Sequence, residues 1–167
     1  MSAKQPAIRV TSWRMVIPQL VIMAVLIVVV AVVFKPQPPV LAFTIGAAVY
    51  LLYSYGSRWL LLKPHKRGVK LTFNGEYAAA IAHHEASLRF FERYPWIDRF
   101  RAVILMTPSA FSFTEMALMN IAYCYGQLGD IQAAKAFYQQ TLNQFPDNEV
   151  AAAALNLIRS AEEGAVN

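Results

Sequence analysis

The chain has 167 residues, 57% of them hydrophobic, and its 15 Lys and Arg against 10 Asp and Glu leave a net charge of +5. So apolar a composition excludes an ordinary soluble domain. The single cysteine excludes an internal disulfide and a thiolate metal cluster.

Two runs account for the hydrophobicity. Met15–Phe34, MVIPQLVIMAVLIVVVAVVF, carries no charge, and neither does Val40–Ser57, VLAFTIGAAVYLLYSYGS. A helix needs roughly 20 apolar residues to cross a hydrocarbon core of about 30 Å, so each run predicts a transmembrane helix, about 15–34 and 40–60. A cleaved signal peptide fits the first run poorly, because its apolar region is usually only about 7–15 residues long. Between the runs lies Lys35-Pro36-Gln37-Pro38-Pro39. Prolines cannot continue a helix, and so short a link allows only a sharp reversal. The expectation for residues 15–62 is therefore an antiparallel transmembrane hairpin, preceded by a cytoplasmic tail over 1–14.

Charge sets the expected orientation. Up to Arg67 the chain has eight basic residues and no acidic one, and only Lys35 lies in the link. Lys and Arg are retained on the cytoplasmic side, so both termini and the C-terminal domain are expected there, in a plasma or inner membrane. Trp13, Arg14, Arg58, Trp59, Lys63, Lys66 and Arg67 are the candidate membrane-interface residues. Their aromatic rings suit the headgroup level, and Arg58 can extend from the helix end into the interface. All ten acidic residues lie after Asn74. The basic excess is thus juxtamembrane, which points to anionic lipid headgroups as a partner and not to nucleic acid.

Residues 63–167 read as helical. Ser112–Glu115, SFTE, is a capping box that opens a helix. Gly129 ends that helix, Asp130 caps the next and Pro146 stops it. Asp147 or Asn148 caps a final helix over about 149–163. RAVILM, Arg101–Met106, has some strand character, but it follows PWIDRF and is read as helix.

Glu115–Asn148 resembles a tetratricopeptide repeat (TPR), a unit of 34 residues built from two antiparallel helices. Leu118 takes the large apolar place of the first helix, Ile121-Ala122 the Leu-Gly place and Tyr125 the aromatic place. Gly129-Asp130 forms the turn. Ala134 is the small residue where the helices touch, Tyr138 the aromatic of the second helix and Pro146 the terminal proline, while Thr141 replaces the second alanine. A weaker copy over about 64–95 places Gly68, Leu71, Gly75, Tyr77, Ala80 and Leu88 correspondingly, with its first helix short and its proline, Pro95, three residues late. The fold class implied is all-α: a two-helix transmembrane hairpin followed by a short TPR-like solenoid. An insert over 96–114 separates the copies. With so few repeats, Trp96, Ile97, Phe100, Val103 and Ile104 are expected to cover the repeat surface left open.

No catalytic, cofactor or metal site is expected. Cys124 lies inside a packed helix. His83-His84-Glu85 lacks the i, i+4 spacing that sets two ligands on one face, and His84 falls on a packing position. The resemblance implies a protein-interaction module with a groove lined by the first helix of each repeat. On Phe113–Leu128, Leu118, Ile121, Ala122 and Tyr125 form the inward stripe. Met116, Met119, Tyr123 and Gln127 fall on a different face and are the candidate partner-binding residues. Some TPR grooves hold a carboxylate with Lys and Asn; Met119 and Tyr123 favour an apolar segment of another subunit instead. The function expected is a membrane-anchored scaffold: an adaptor, an assembly factor or an accessory subunit of a membrane complex. The alternatives are a component of an enzyme or transporter complex, or a purely structural spacer.

Overall fold

A computed structural model describes residues 12–166. Among these residues there are nine helices and no strand: α1 (Trp13–Phe34), α2 (Val40–Leu61), α3 (Lys63–Phe73), α4 (Tyr77–Arg93), α5 (Pro95–Arg99), α6 (Arg101–Ile104), α7 (Phe113–Gln127), α8 (Ile131–Gln144) and α9 (Glu149–Val166). Most of the tail over 1–14, with Lys4 and Arg9, lies outside the described residues.

The chain forms two compact units. Among the described residues, one holds 12–63 together with Trp96–Ser112, and the other holds Pro64–Pro95 and the chain from Phe113 onward.

In the first unit α1 and α2 pack as a hairpin. At 22 residues each, and 1.5 Å of rise per residue, both are long enough for a hydrocarbon core. Gly46 makes the contact possible, because a Cβ there would lie 2.8 Å from the Cα of Ile27. Small residues let helix backbones approach in this way. The outward surface of the hairpin is apolar, and only 11% and 17% of the central windows of α1 and α2 are buried.

Residues 96–112 cluster with these two helices. Two arginines hold them. The Arg58 guanidinium, on α2, donates from Nε to the Leu105 carbonyl at 2.9 Å and from Nη2 to the Met106 carbonyl. Buried Arg101 donates to the carbonyls of Asp98, Ser109 and Ala110 at 3.0–3.2 Å. The backbone N–H of Ser12, which precedes α1, donates to the Pro108 carbonyl at 2.9 Å. One expectation is corrected here. Trp96, Phe100 and Val103 are exposed, so they are not the cover expected of them. The physical reason is that carbonyl acceptors, satisfied by arginines of the same unit, decide where the insert packs.

The second unit is a stack of helical hairpins. Hairpin α3–α4 and hairpin α7–α8 turn identically. Gly75 and Gly129 both take φ +81, the left-handed conformation that glycine adopts without a Cβ penalty. The following residue closes each turn back onto the helix: Glu76 N–H donates to the Leu71 carbonyl at 2.9 Å, and Asp130 N–H to that of Tyr125 at 3.0 Å. The same offset pairs Ala80 with Ala134, Ser87 with Thr141 and Phe91 with Phe145 along the sequence. Asp130 caps α8 through the Ala133 N–H at 2.9 Å. Helix α7 packs between α4 and α8, and α9 packs on α8. Ala80, Ala117, Leu118, Ile121, Ala122 and Ala134 are buried at the crossings.

Ala134 tests this packing, because it lies where α8 meets Gly126 of α7. Ala134→Leu should overpack the contact and lower stability by about 1–3 kcal/mol. Buried Cys124, the one cysteine in the chain, reports the change as faster thiol labelling of the full-length protein. An unchanged labelling rate would mean that the two helices do not meet there.

Candidate functional site

Helix α7 carries both the core and the candidate face. Leu118, Ile121 and Ala122 are fully buried, and Tyr125 stacks on Phe137 of α8 with ring centroids 5.7 Å apart. The inward stripe is thus in place. On the other face Met116, Met119 and Tyr123 are half-buried and Gln127 is exposed. Two of the four have neighbours that spacing along α7 does not reveal. The Tyr123 ring meets that of Tyr77, on α4, edge-on at 6.1 Å. Burial raises the Tyr123 hydroxyl pKa, and Tyr77 adds to the effect.

Met119 is tied to the start of α9. Asn148 Nδ2 donates to Glu115 Oε1 at 2.7 Å and approaches Met119 Sδ at 3.2 Å. Asn148 Oδ1 accepts from the Ala151 N–H at 2.7 Å. One buried side chain therefore caps α9 and joins it to the first turn of α7. The face is bounded on one side by Tyr77 and on the other by Asn148. Asn148 has a sequence signal as a cap and Glu115 one in a capping box, but nothing in the sequence pairs them across 33 residues.

Behind the face lies a buried polar group. His84 is fully buried, and its Nε2 is 3.0 Å from Thr72 Oγ1. Thr72 in turn donates to the Gly68 carbonyl at 3.0 Å and lies 3.5 Å from Cys124 Sγ. With the hydroxyl proton directed to Gly68, the threonine oxygen accepts from an Nε2–H tautomer of His84. Only glycine fits at position 68, because a Cβ there would sit 2.8 Å from the imidazole Cε1 and Nδ1. Burial, with His65 and His83 adding, lowers the His84 pKa to about 4, so the ring is neutral at pH 7. Burial also raises the Cys124 thiol pKa, against the smaller opposing effect of the Thr72 hydrogen bond. A protonated, enclosed thiol is a poor nucleophile. Among the described residues no group of three His, Cys, Asp or Glu is arranged to hold a metal.

The interface candidates divide between the two units. Trp13 and Arg14 are exposed at the start of α1, and Arg58 is bound to carbonyls. Trp59 is exposed, with Lys63 Nζ 3.9 Å above its ring. Lys66 and Arg67 are exposed on α3.

Residues 116–148 match the tetratricopeptide repeat family. The TPR is a protein–protein interaction fold, generally without catalysis of its own. The match covers α7 from Met116, its glycine turn and α8, and ends at Asn148. Comparison with curated proteins and with solved structures gives no match. Hairpin α3–α4 lies outside the TPR match and shares its turn geometry.

The neutral His84 makes the second unit acid-sensitive. Its pKa is about 4 in the fold against 6.5 for the free side chain, so the unfolded chain takes up a proton first. Stability is complete above pH 6.5 and is lost as pH falls towards 4, by about 3 kcal/mol in all. Labelling of Cys124, normalised at each pH to the rate in unfolded chain, should accelerate over that window. His84→Gln should flatten the difference. Parallel profiles for the two proteins would show that His84 is not the titrating group.

Proposed function

We propose that the chain is a membrane-anchored TPR interaction module, acting as an adaptor, an assembly factor or an accessory subunit of a larger membrane complex. The observation that carries this reading is a conjunction: a matched interaction repeat follows two 22-residue helices whose apolar surfaces are turned outward. A core helix of a soluble protein buries its apolar surface, whereas α1 and α2 leave most of theirs open. Their pairing through Gly46 favours a retained hairpin over a cleaved leader.

The seven basic residues flanking the outer helix ends, against Lys35 in the link, support an orientation with both termini cytoplasmic. Anionic headgroups are the lipid partner that suits those flanks. The protein partner docks on Met116, Met119, Tyr123 and Gln127. Met adapts to irregular apolar surfaces and Tyr is a frequent hot spot, so a helix or hydrophobic segment of a membrane subunit fits this face. The contacts of Tyr123 with Tyr77 and of Met119 with Asn148 favour a second reading, in which the face is packing and the repeat a rigid spacer.

One experiment separates the two. Met119→Glu with Tyr123→Glu in the full-length protein should abolish co-purification of the membrane partner from mild detergent while Cys124 stays protected. Rapid Cys124 labelling in the double variant would identify the face as core and leave the spacer reading.

Orientation has its own test. In a Cys124→Ala background, an impermeant thiol reagent added to intact cells should label Gln37→Cys and spare Lys4→Cys and Ser160→Cys. Labelling at position 160 from outside would overturn the orientation.

A further inference from the structure

The segment 96–104 buries two charged residues and exposes two aromatic ones. Its inward face holds Ile97, Asp98, Arg101 and Ala102, all buried. Exposed Arg99 lies on its outward face, whose apolar residues are Trp96, Phe100 and Val103, 56%, 55% and 40% exposed. These apolar residues are four and then three positions apart, one face of a helix. The helical turn is continuous across the joint of α5 and α6: Phe100 N–H donates to the Trp96 carbonyl at 3.0 Å, and Ile104 N–H to that of Phe100 at 2.9 Å. In water the favoured arrangement is the opposite one, with charges outward and aromatic rings inward.

The anchoring of this segment fixes its depth. Its C-terminal end is held by Arg58, in the last turn of α2, through the Leu105 and Met106 carbonyls. The loop beyond is held by the Ser12 N–H, immediately before α1. The paired ends of the apolar hairpin are thus the two points that hold the insert, and Ile104 at its end lies against α2. A crevice of about 420 Å³ runs from Ile104 along α2, lined by Tyr53, Gly56, Ser57, Leu60 and Leu61. A Cβ at Gly56 would touch nothing within 4 Å, so that wall is open. Lys63 lies one turn beyond Leu60, above the Trp59 ring.

We infer that Trp96–Ile104 is an interfacial foot: it lies in the headgroup–acyl boundary of the bilayer with Trp96, Phe100 and Val103 in lipid, and an acyl chain fills the crevice beside Ile104. This rests on the membrane reading of α1 and α2. Aromatic rings favour that boundary, and irregular backbone is tolerated near the hydrocarbon only where its carbonyls are satisfied. Arg58 and Arg101 provide that satisfaction here.

The test uses full-length protein in vesicles of phosphatidylcholine and phosphatidylglycerol, doped with lipid bearing a nitroxide high or low on its acyl chain. Two variants leave one tryptophan each: Trp13→Phe with Trp59→Phe retains Trp96, and Trp13→Phe with Trp96→Phe retains Trp59. The expected result is blue-shifted Trp96 emission that the shallow nitroxide quenches more than the deep one and that aqueous iodide barely touches. In Gly56→Leu, quenching of Trp59 by labelled lipid should fall as the crevice fills. Iodide quenching of Trp96, with Trp59 still quenched by lipid, overturns the foot and leaves the membrane reading standing. Blue-shifted Trp96 emission that neither quencher reaches means that protein covers the face, and overturns it too. If lipid quenches neither tryptophan, the membrane reading itself fails.

Discussion

Among the described residues, helix backbones approach closely where a side chain is reduced to a hydrogen or a methyl. Gly68 against His84 and Gly126 against Ala134 place two hairpins in register, and Gly46 against Ile27 does the same for the apolar pair. Each hairpin of the repeat unit then needs a reversal within a few residues, which the left-handed Gly75 and Gly129 allow. Everything else in that unit follows from these positions. With the backbones close, Leu118 and Ile121 become fully buried, and the same closeness encloses His84 and Cys124. The neutral imidazole and the protonated thiol are consequences of packing, and their titration reports on it. A buried His84 in place of an aliphatic residue makes the fold depend on pH while adding one hydrogen bond, to Thr72.

The other unit obeys a different constraint. Between α5 and α7 the chain has little regular structure, and its carbonyls need donors. Two guanidiniums meet this need, Arg58 for Leu105 and Met106, and Arg101 for Asp98, Ser109 and Ala110. Arginine suits the task because its planar fork offers several donors at once and stays charged. Turning Arg101 inward leaves Trp96 and Phe100 on the outward face of the insert. That exchange is unfavourable in water and favourable at a lipid boundary, so the carbonyl clamps and the exposed aromatic rings have one physical explanation.

The all-helical fold was legible in the sequence because helix signals are local. The apolar runs, the glycine turn at Gly129, the Asp130 cap and the stop at Pro146 each depend on neighbours within a few residues. The matched repeat was legible for the same reason, since its small and aromatic positions recur at fixed spacing. The placement of residues 96–112 was not. It is decided by backbone carbonyls, which every residue possesses and no sequence pattern marks, and by two arginines, of which Arg58 suggested a headgroup partner and Arg101 gave no signal. The join between Asn148 and Glu115 was hidden differently. Both residues carry good local signals, one as a cap and one in a capping box, and those signals give no reason to bring them together across 33 positions.

That join also shapes what the candidate face can do. Asn148 holds Glu115 and Met119 together, while Tyr123 rests against Tyr77. Two of the four face residues are therefore preset by α4 and α9, and Gln127 remains exposed. A preset surface loses less side-chain entropy on binding than a mobile one, which favours a partner that fits without rearrangement. It also limits which partners are accepted. A peptide carboxylate would meet a thioether and a phenol where a cation is wanted, with the Glu115 carboxylate behind Asn148. An apolar helix would meet Met116, Met119 and the edge of Tyr123. The chemistry of the face and its support from both sides thus suit the partner proposed above, a hydrophobic segment and not a charged terminus.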